Sequence, residues 1–332
     1  MRNDLNTEIH LRIVDLSHEY GIVKSKSKAI LKSDSIKSRG IYNVNLDVKF
    51  GEFIGVLGPN GCGKSTLLKT LNSSLMPEHG KILIADRELS PLNNHLKRQI
   101  GVVFQDVALD PKLTVSQNIS FSGRLYGVKG LELEERMNIL LKQLNLFPRK
   151  DDLVEVLSGG MARKVELAKA LVSKPKILLM DEPSVGLDPS SRQEFWGIIE
   201  NVRKEGTTIL FTTHLLDEAE KCDRVAIMFE GKLLTCAPPA ELKRNVGKQV
   251  LNITSKDEID IFLQDIEQYL NVKGRIVGQS IHIALNDSIS VDLFSEKFGG
   301  RILSLSTAEP SLDDVFFEYT GRRLNIDVVG GL

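Results

Sequence analysis

The sequence predicts an α/β fold: a mixed-sheet core carrying a helical subdomain, followed by a small α+β domain of ferredoxin-like order. Three observations predict it. Strand-like and helix-like segments alternate from Ile41 to about Phe229. A glycine-rich turn, Gly58 to Thr66, stands between a predicted strand and a predicted helix. Beyond Lys248 the segments run βαββαβ and end in one more helix.

Composition sets the bounds. A chain of 332 residues is long enough for two domains at roughly 100–200 residues each. With 42% hydrophobic and 26% charged residues it is expected to be globular and soluble rather than disordered or fibrous. Lys plus Arg (43) balance Asp plus Glu (44), so there is no cationic surplus and no nucleic-acid partner is expected. Cys62, Cys222 and Cys236 are odd in number and widely spaced, which points to a reducing compartment and away from a zinc site. No apolar window approaches the roughly 18 residues a membrane helix needs, and Met1 to His10 lacks a signal-peptide core. The chain is not expected to cross a membrane by itself.

The elements follow in order. From His10 to Tyr20, Leu11, Ile13 and Leu16 among polar neighbours predict a half-buried strand. Gly21 to Gly40 carries Lys24, Lys26, Lys28, Lys32, Lys37 and Arg39 against Asp34, and reads as a solvated hairpin insert rather than a contact to lipid headgroups. The apolar runs Phe53 to Leu57, Val102 to Phe104, Ile177 to Met180 and Thr208 to Phe211 read as parallel strands covered on both faces. Leu133, Met137, Leu140, Leu141 and Leu144 recur at helical spacing and mark a helical subdomain over about 106–172. Pro238 and Pro239 introduce a short helix, and Asn245 to Lys248 reads as a linker, which divides the chain into 1–245 and 246–332. The second domain is read as strand Gln249 to Thr254, helix Lys256 to Leu270, strands Val272 to Val277 and Ser280 to Leu285, helix Ser288 to Phe298, strand Arg301 to Ser306 and helix Ser311 to Tyr319.

Three short segments carry chemistry. Gly58, Pro59, Asn60, Gly61, Cys62, Gly63, Lys64, Ser65 and Thr66 fit G-x-x-x-x-G-K-[ST]. Such a turn aims backbone N–H groups and a helix N-terminus at phosphates, while Lys64 reaches the β/γ-phosphates and the Ser65 hydroxyl ligates Mg²⁺. Ile177 to Glu182 is an apolar strand ending in two acids, where Asp181 would hold Mg²⁺ through water and Glu182 would polarise an attacking water. In Leu157 to Met161, Ser158 stands at an N-cap and Gly159 and Gly160 bare a second helix N-terminus. Two copies of the chain would then sandwich ATP, each lending this helix to the other.

Taken together, these residues resemble the ATP-binding subunit of the ABC (ATP-binding cassette) superfamily over about residues 10–245. Gly58 to Thr66 match its Walker A motif, Gln105 the Q-loop glutamine, Leu157 to Met161 the signature, Ile177 to Glu182 Walker B, Gly186 to Asp188 the D-loop and His214 the switch histidine. Tyr20 falls where the family has an adenine-stacking aromatic. The resemblance implies ATP and Mg²⁺, with Gln105 on phosphate and Mg²⁺, Glu182 as base or water-orienting carboxylate, His214 on the γ-phosphate, Ser158 and Gly160 arriving from the opposite subunit of a head-to-tail homodimer, and Gly159 and Asp188 counted with the nucleotide-binding residues. It also implies separate polytopic permease subunits docked around Gln105 to Gly127, with this chain peripheral on the cytoplasmic membrane face. Met161 replaces the common Gln. Cys62 replaces the common Ala and puts a thiol near a helix N-terminus, an arrangement that lowers a thiol pKa. Pro310 to Phe316, followed by Thr320 to Arg322, resembles the tail of daunorubicin-resistance-type and ABC-A-like exporters.

The function expected is ATP hydrolysis powering export. The alternative is a soluble ABC ATPase in translation or DNA maintenance, which would carry two cassettes or a long heptad insertion; one cassette and balanced charge count against it. The second domain is expected to regulate the first or clamp the dimer.

Overall fold

The computed structural model describes residues 9–20, 39–90, 92–247, 249–285 and 291–324. The basic segment expected as a hairpin lies, apart from Arg39 and Gly40, outside the described residues. The chain forms two compact units, Met1–Cys236 and Ala237–Leu332.

In the first unit the strands and helices follow as β1 (Ile9–Tyr20), β2 (Arg39–Lys49), β3 (Phe53–Leu57), α1 (Lys64–Leu71), β4 (His79–Ile84), β5 (Arg87–Glu88), α2 (Asn94–Lys97) and β6 (Ile100–Val103). Three helices of the expected subdomain come next, α3 (Val115–Leu125), α4 (Gly130–Gln143) and α5 (Gly159–Leu171). The unit closes with β7 (Ile177–Asp181), α6 (Pro189–Lys204), β8 (Thr208–Thr213), α7 (Leu216–Ala219), β9 (Arg224–Phe229) and β10 (Lys232–Ala237).

Two sheets result. One is antiparallel, in the order β2-β1-β4-β5. The other runs β10-β9-β3-β8-β7-β6, with β9, β3, β8, β7 and β6 parallel. The spacing Leu11, Ile13, Leu16 breaks strict alternation because β1 bulges there: Asp15 takes φ 48° and the register shifts, so all three side chains remain buried. Successive side chains of a strand point to opposite faces, and β3 uses both. Ile54 and Val56 join Leu67, Leu68 and Leu71 of α1 and the inner residues of the antiparallel sheet in one core. On the opposite face Phe53 stacks on Phe211 (5.1 Å between centroids), and Trp196 of α6 tilts against Phe211 at 4.9 Å. Each such side chain, fully buried, contributes roughly 1.5–3 kcal/mol. β3 is therefore immobilised from two sides just before the glycine-rich turn.

The second unit comprises α8 (Pro239–Val246), β11 (Gln249–Ser255), α9 (Ile259–Leu270), β12 (Gly274–Val277), β13 (Ser280–Leu285), α10 (Val291–Phe298), β14 (Ile302–Ala308) and α11 (Leu312–Thr320). Its antiparallel sheet has the order β12-β13-β11-β14, the ferredoxin-like arrangement. Leu251, Ile253, Ile281 and Ile283 pack under Phe262, Ile266, Phe294 and Phe298. The division between units lies nine residues before the expected 245/246, because α8 packs against α11 and Asn245 and Val246 are helical rather than linker. Ser311 caps α11 in a capping box with Asp314, and Arg275, buried, pairs with both Asp313 and Asp314.

Candidate functional site

β3 delivers the chain to Gly58, whose N–H donates to the Thr213 carbonyl (3.3 Å) at the end of β8. Gly58 is required by close approach: a Cβ there would lie 2.3 Å from the Met228 carbonyl oxygen and 2.6 Å from Cys62 Sγ. Gly63 is required by conformation, at φ 108°. Lys64 to Leu71 then form α1, which starts with neither a side-chain cap nor an acidic residue in its first turn. Its positive end is left for an anion. The thiol of Cys62 does not follow the sequence expectation. Cys62 is buried, and burial raises its pKa above the ordinary thiol value despite Lys64 nearby.

The structure gathers the acids and bases around this turn. Lys64 Nζ donates to the carbonyls of Gly58 (2.8 Å) and Pro59 (3.1 Å) and pairs with Glu182 Oε1 at 3.2 Å. His214 Nδ1, buried and without a hydrogen-bond partner among the described residues, lies 3.5 Å from Glu182 Oε2. Glu182 adopts φ 42°, and its N–H donates to Thr212 Oγ1 (3.0 Å), which itself donates to Asp181 Oδ1 (2.5 Å). Lys64, Glu182 and His214 thus meet at one point, although more than a hundred residues separate Lys64 from the other two in the chain.

Other expected residues stand apart from this cluster. Ser158 caps α5, its Oγ accepting from the Met161 N–H (3.3 Å), and Ser158 and Gly159 are exposed. Gly160 is tight against α6: a Cβ there would meet Ser191 Oγ at 2.8 Å. Asp188 caps α6 through the Ser191 N–H (3.0 Å), and hydrogen bonding from the Ser191 side chain, then from its backbone, lowers the carboxyl pKa. Gln105 is exposed just beyond β6, which ends at Val103 rather than Phe104. Tyr20 ends β1, 40% exposed, edge-on to His18.

Comparison with known proteins decides the family. Residues 41–185 match the family model described as ABC transporter, and residues 238–320 match the C-terminal domain of DrrA1-3-like ATP-binding proteins. The linearmycin resistance ATP-binding protein LnrL of Bacillus subtilis is 32% identical over 293 residues, covering 86% of this chain and 94% of that protein. The chain belongs to the ABC transporter ATP-binding subunits. The Nod factor export ATP-binding protein I of Bradyrhizobium diazoefficiens (34% identity, 86% of this chain and 92% of that protein) is similar. So is the daunorubicin/doxorubicin resistance ATP-binding protein DrrA of Streptomyces peucetius (32%, 89% and 93%). Among solved structures, cbiO1 of Clostridium perfringens, part of an ABC transporter complex, aligns at a TM-score of 0.60 with 28% identity, covering 80% of this chain and 96% of that one. A dimeric ATP-binding cassette in a post-hydrolysis state, bound to ADP and Pi, aligns at 0.59 with 26% identity, covering 69% and 98%. This ABC subunit is an ATPase of the export branch that these relatives represent. Among the described residues no helix is long and apolar enough to cross a membrane.

Two buried side chains of this ABC subunit were missed by sequence reasoning. Arg163 of α5, 4% exposed, donates through Nε to the Pro183 carbonyl (2.7 Å). Its terminal nitrogens donate to the carbonyls of Phe104, Gln105 (3.4 Å), Asp181 (3.3 Å) and Glu182 (3.4 Å). The guanidinium thereby ties the signature helix to the residues around Gln105 and Glu182. Burial lowers its pKa from the ordinary arginine value, opposed by Glu166, Asp181 and Asp106. Glu218 of α7 is the second, with Ser184, Trp196 and Thr213 all donating to its carboxylate. The available signal was Arg163 and Glu166 at i and i+3 on a helix whose other inward positions are apolar; both are buried.

Proposed function

We propose that this ATPase hydrolyses ATP at two equivalent sites of a head-to-tail homodimer and uses the cycle to drive export through separate polytopic permease subunits. The observation that carries the site assignment is the meeting of Lys64, Glu182 and His214 at the mouth of the Gly58–Thr66 turn. The turn and the start of α1 cradle the phosphates, with Gly61, Gly63, Ser65 and Thr66 supplying backbone N–H groups and Lys64 its charge. Asn60 and Pro59 shape the turn, and Tyr20 stacks the adenine. Glu182 orients or deprotonates the attacking water, and His214 donates to the γ-phosphate. Ser158, Gly159, Gly160 and Asp188 act on the other subunit's nucleotide.

The donor set fits Mg²⁺. A hydroxyl from Ser65, the free oxygen of Asp181 through water and the amide of Gln105, completed by phosphate oxygens, match an ion that keeps waters and rarely takes an all-protein cage. Bound there, it would neutralise charge on the phosphates.

For the permease, the reading rests on a groove of ≈ 550 Å³ between β6 and the subdomain helices, lined by Phe104, Phe121, Leu125 and Tyr126 with Glu166 and Lys169. Phe104, Phe121 and Leu125 are 42%, 60% and 65% exposed. Apolar surface of this kind marks a partner face. Docking there would hold the subunit peripherally on the cytoplasmic face.

A complementation assay tests the shared sites. Lys64→Ala and Ser158→Arg chains, each inactive alone, are mixed. If each site takes Lys64 from one chain and Ser158 from the other, the mixture regains about a quarter of wild-type turnover, because half the dimers carry one intact site. Turnover no higher than in either parent alone would remove the composite site.

A further inference from the structure

We infer that Glu218 is a positioning residue that holds the D-loop and the switch histidine as a single unit and so sets the geometry between Glu182 and His214. The inference rests on the roles given to those two residues above.

Glu218 is 3% exposed, and three neutral donors converge on it. Ser184 Oγ and Trp196 Nε1 (3.2 Å) donate to Oε1, and Thr213 Oγ1 donates to Oε2 at 2.6 Å. These donors come from three separate parts of the site. Ser184 lies two residues after Glu182 and leads into the D-loop through a turn closed by the Leu187 N–H donating to the Ser184 carbonyl (3.2 Å), ahead of the Asp188 cap of α6. Trp196 lies on α6 itself. Thr213 immediately precedes His214, and its Oγ1 also accepts from the Leu215 N–H (2.9 Å), so one hydroxyl grips the backbone on both sides of His214. A single carboxylate therefore fixes the segment that follows Glu182 and the residue that precedes His214. The 3.5 Å between Glu182 Oε2 and His214 Nδ1 is set from behind by this arrangement.

Stability alone does not call for such a network. Replacing a buried polar cluster and its partners together by apolar groups of similar shape is often neutral, whereas a satisfied cluster fixes one geometry. Glu218 also touches none of the residues assigned to phosphate or Mg²⁺, so its effect belongs to the hydrolytic step and not to ATP binding.

The test uses the full chain. Glu218→Ala, Glu218→Gln and His214→Ala are compared with wild type for kcat, KM for ATP and thermal midpoint. Ser184→Ala, Thr213→Val and their double variant complete the set. Expected for Glu218→Ala is a kcat lower by about 10- to 100-fold with KM within about threefold of wild type. Glu218→Gln, which keeps an acceptor oxygen for Ser184 and Trp196, recovers most of the loss. A folded Glu218→Ala chain with wild-type kcat, or a loss shared equally by kcat and KM that Gln does not recover, overturns the inference. If Glu218→Ala does not fold, the double variant decides. A combined loss no larger than the greater single loss supports one unit, and multiplying losses overturn it. A His214→Ala chain with wild-type kcat would instead remove the reading on which the inference rests.

Discussion

Lys64 and Glu182 form an ion pair buried on both sides, with Nζ 3.2 Å from Oε1 and side-chain exposures of 4% and 9%. The same ammonium also donates to the carbonyls of Gly58 and Pro59, so all three of its donor directions are taken within the protein. An incoming γ-phosphate must compete for those donors. On the proposed reading, entry of the substrate would draw Lys64 off Glu182 and free the carboxylate for water at the moment a water is needed.

Removing the charge on Glu182 tests that exchange directly. Glu182→Gln is expected to slow turnover by about 10²–10³-fold while ATP is still bound, since the cradle is untouched. Single-turnover hydrolysis alongside filter binding of ATP measures both, and wild-type turnover in the variant would exclude Glu182 from the chemistry.

Arg163 should matter both for stability and for turnover. Arg163→Met leaves carbonyls of Phe104, Gln105, Asp181, Glu182 and Pro183 without their donor, an expected loss of about 2–4 kcal/mol in urea unfolding together with a lower kcat. Arg163→Lys, with three donors and no fork, should recover only part of either.

The cysteines give a simple chemical check. Burial raises the thiol pKa of Cys62 and Cys222, and pushes that of Cys236 up to about 11. The folded chain at pH 7.5 should therefore react with iodoacetamide far more slowly than the chain in urea, as read by mass spectrometry. Rapid labelling of Cys62 in the native protein would contradict the geometry.

His10 predicts a pH dependence. It is buried, bonded to Thr208 Oγ1 at 2.7 Å and stacked on Phe50, and burial, aided by Lys176, lowers its pKa to about 4. Because the folded pKa is below the unfolded one, the unfolded chain binds the extra proton between the two values. The stabilisation is complete above about pH 6.5 and is lost as pH falls toward 4, up to about 3 kcal/mol in all. Thermal midpoints measured from pH 7.5 to 4.5 should show this slope, and His10→Asn should flatten it.

In the second unit, Asp314 both completes the Ser311 capping box and pairs with buried Arg275 at 2.5 Å. Asp314→Ala leaves the guanidinium short of a partner, with an expected cost of about 3–5 kcal/mol to that unit. Limited proteolysis that cuts first around α11 in the variant would register it.

Much of this was legible in the chain. The apolar runs around β3, β7 and β8 and the G-x-x-x-x-G-K-[ST] spacing are local, so sequence order alone carries them, and the βαββαβ order of the second unit follows from the same periodicities. Strand β4 was not legible, because His79, Gly80 and Lys81 lead it with exposed residues and only Ile82 and Ile84 are buried. Asn245 and Val246 looked like linker because α8 owes its helical stability to packing on α11, a contact that spacing does not reveal. Cys62 was misjudged for a related reason: a helix N-terminus is visible in sequence, but the burial that outweighs it comes from the chain folding over the turn. The role of Arg163 was not legible because its acceptors are backbone carbonyls, which no residue pattern encodes, and that of Glu218 was not because Ser184 and Trp196, two of its three donors, lie far away in sequence.

Position 182 sets two requirements against each other. At φ 42° the main chain there would rest more easily with glycine or asparagine, and it is kept in that conformation by Thr212 on its N–H and Arg163 on its carbonyl. Only a glutamate, however, puts a carboxylate of that reach beside Lys64 and His214. Selection for a sturdier protein and selection for a working one therefore pull this residue in opposite directions, and the two clamps allow the second to prevail.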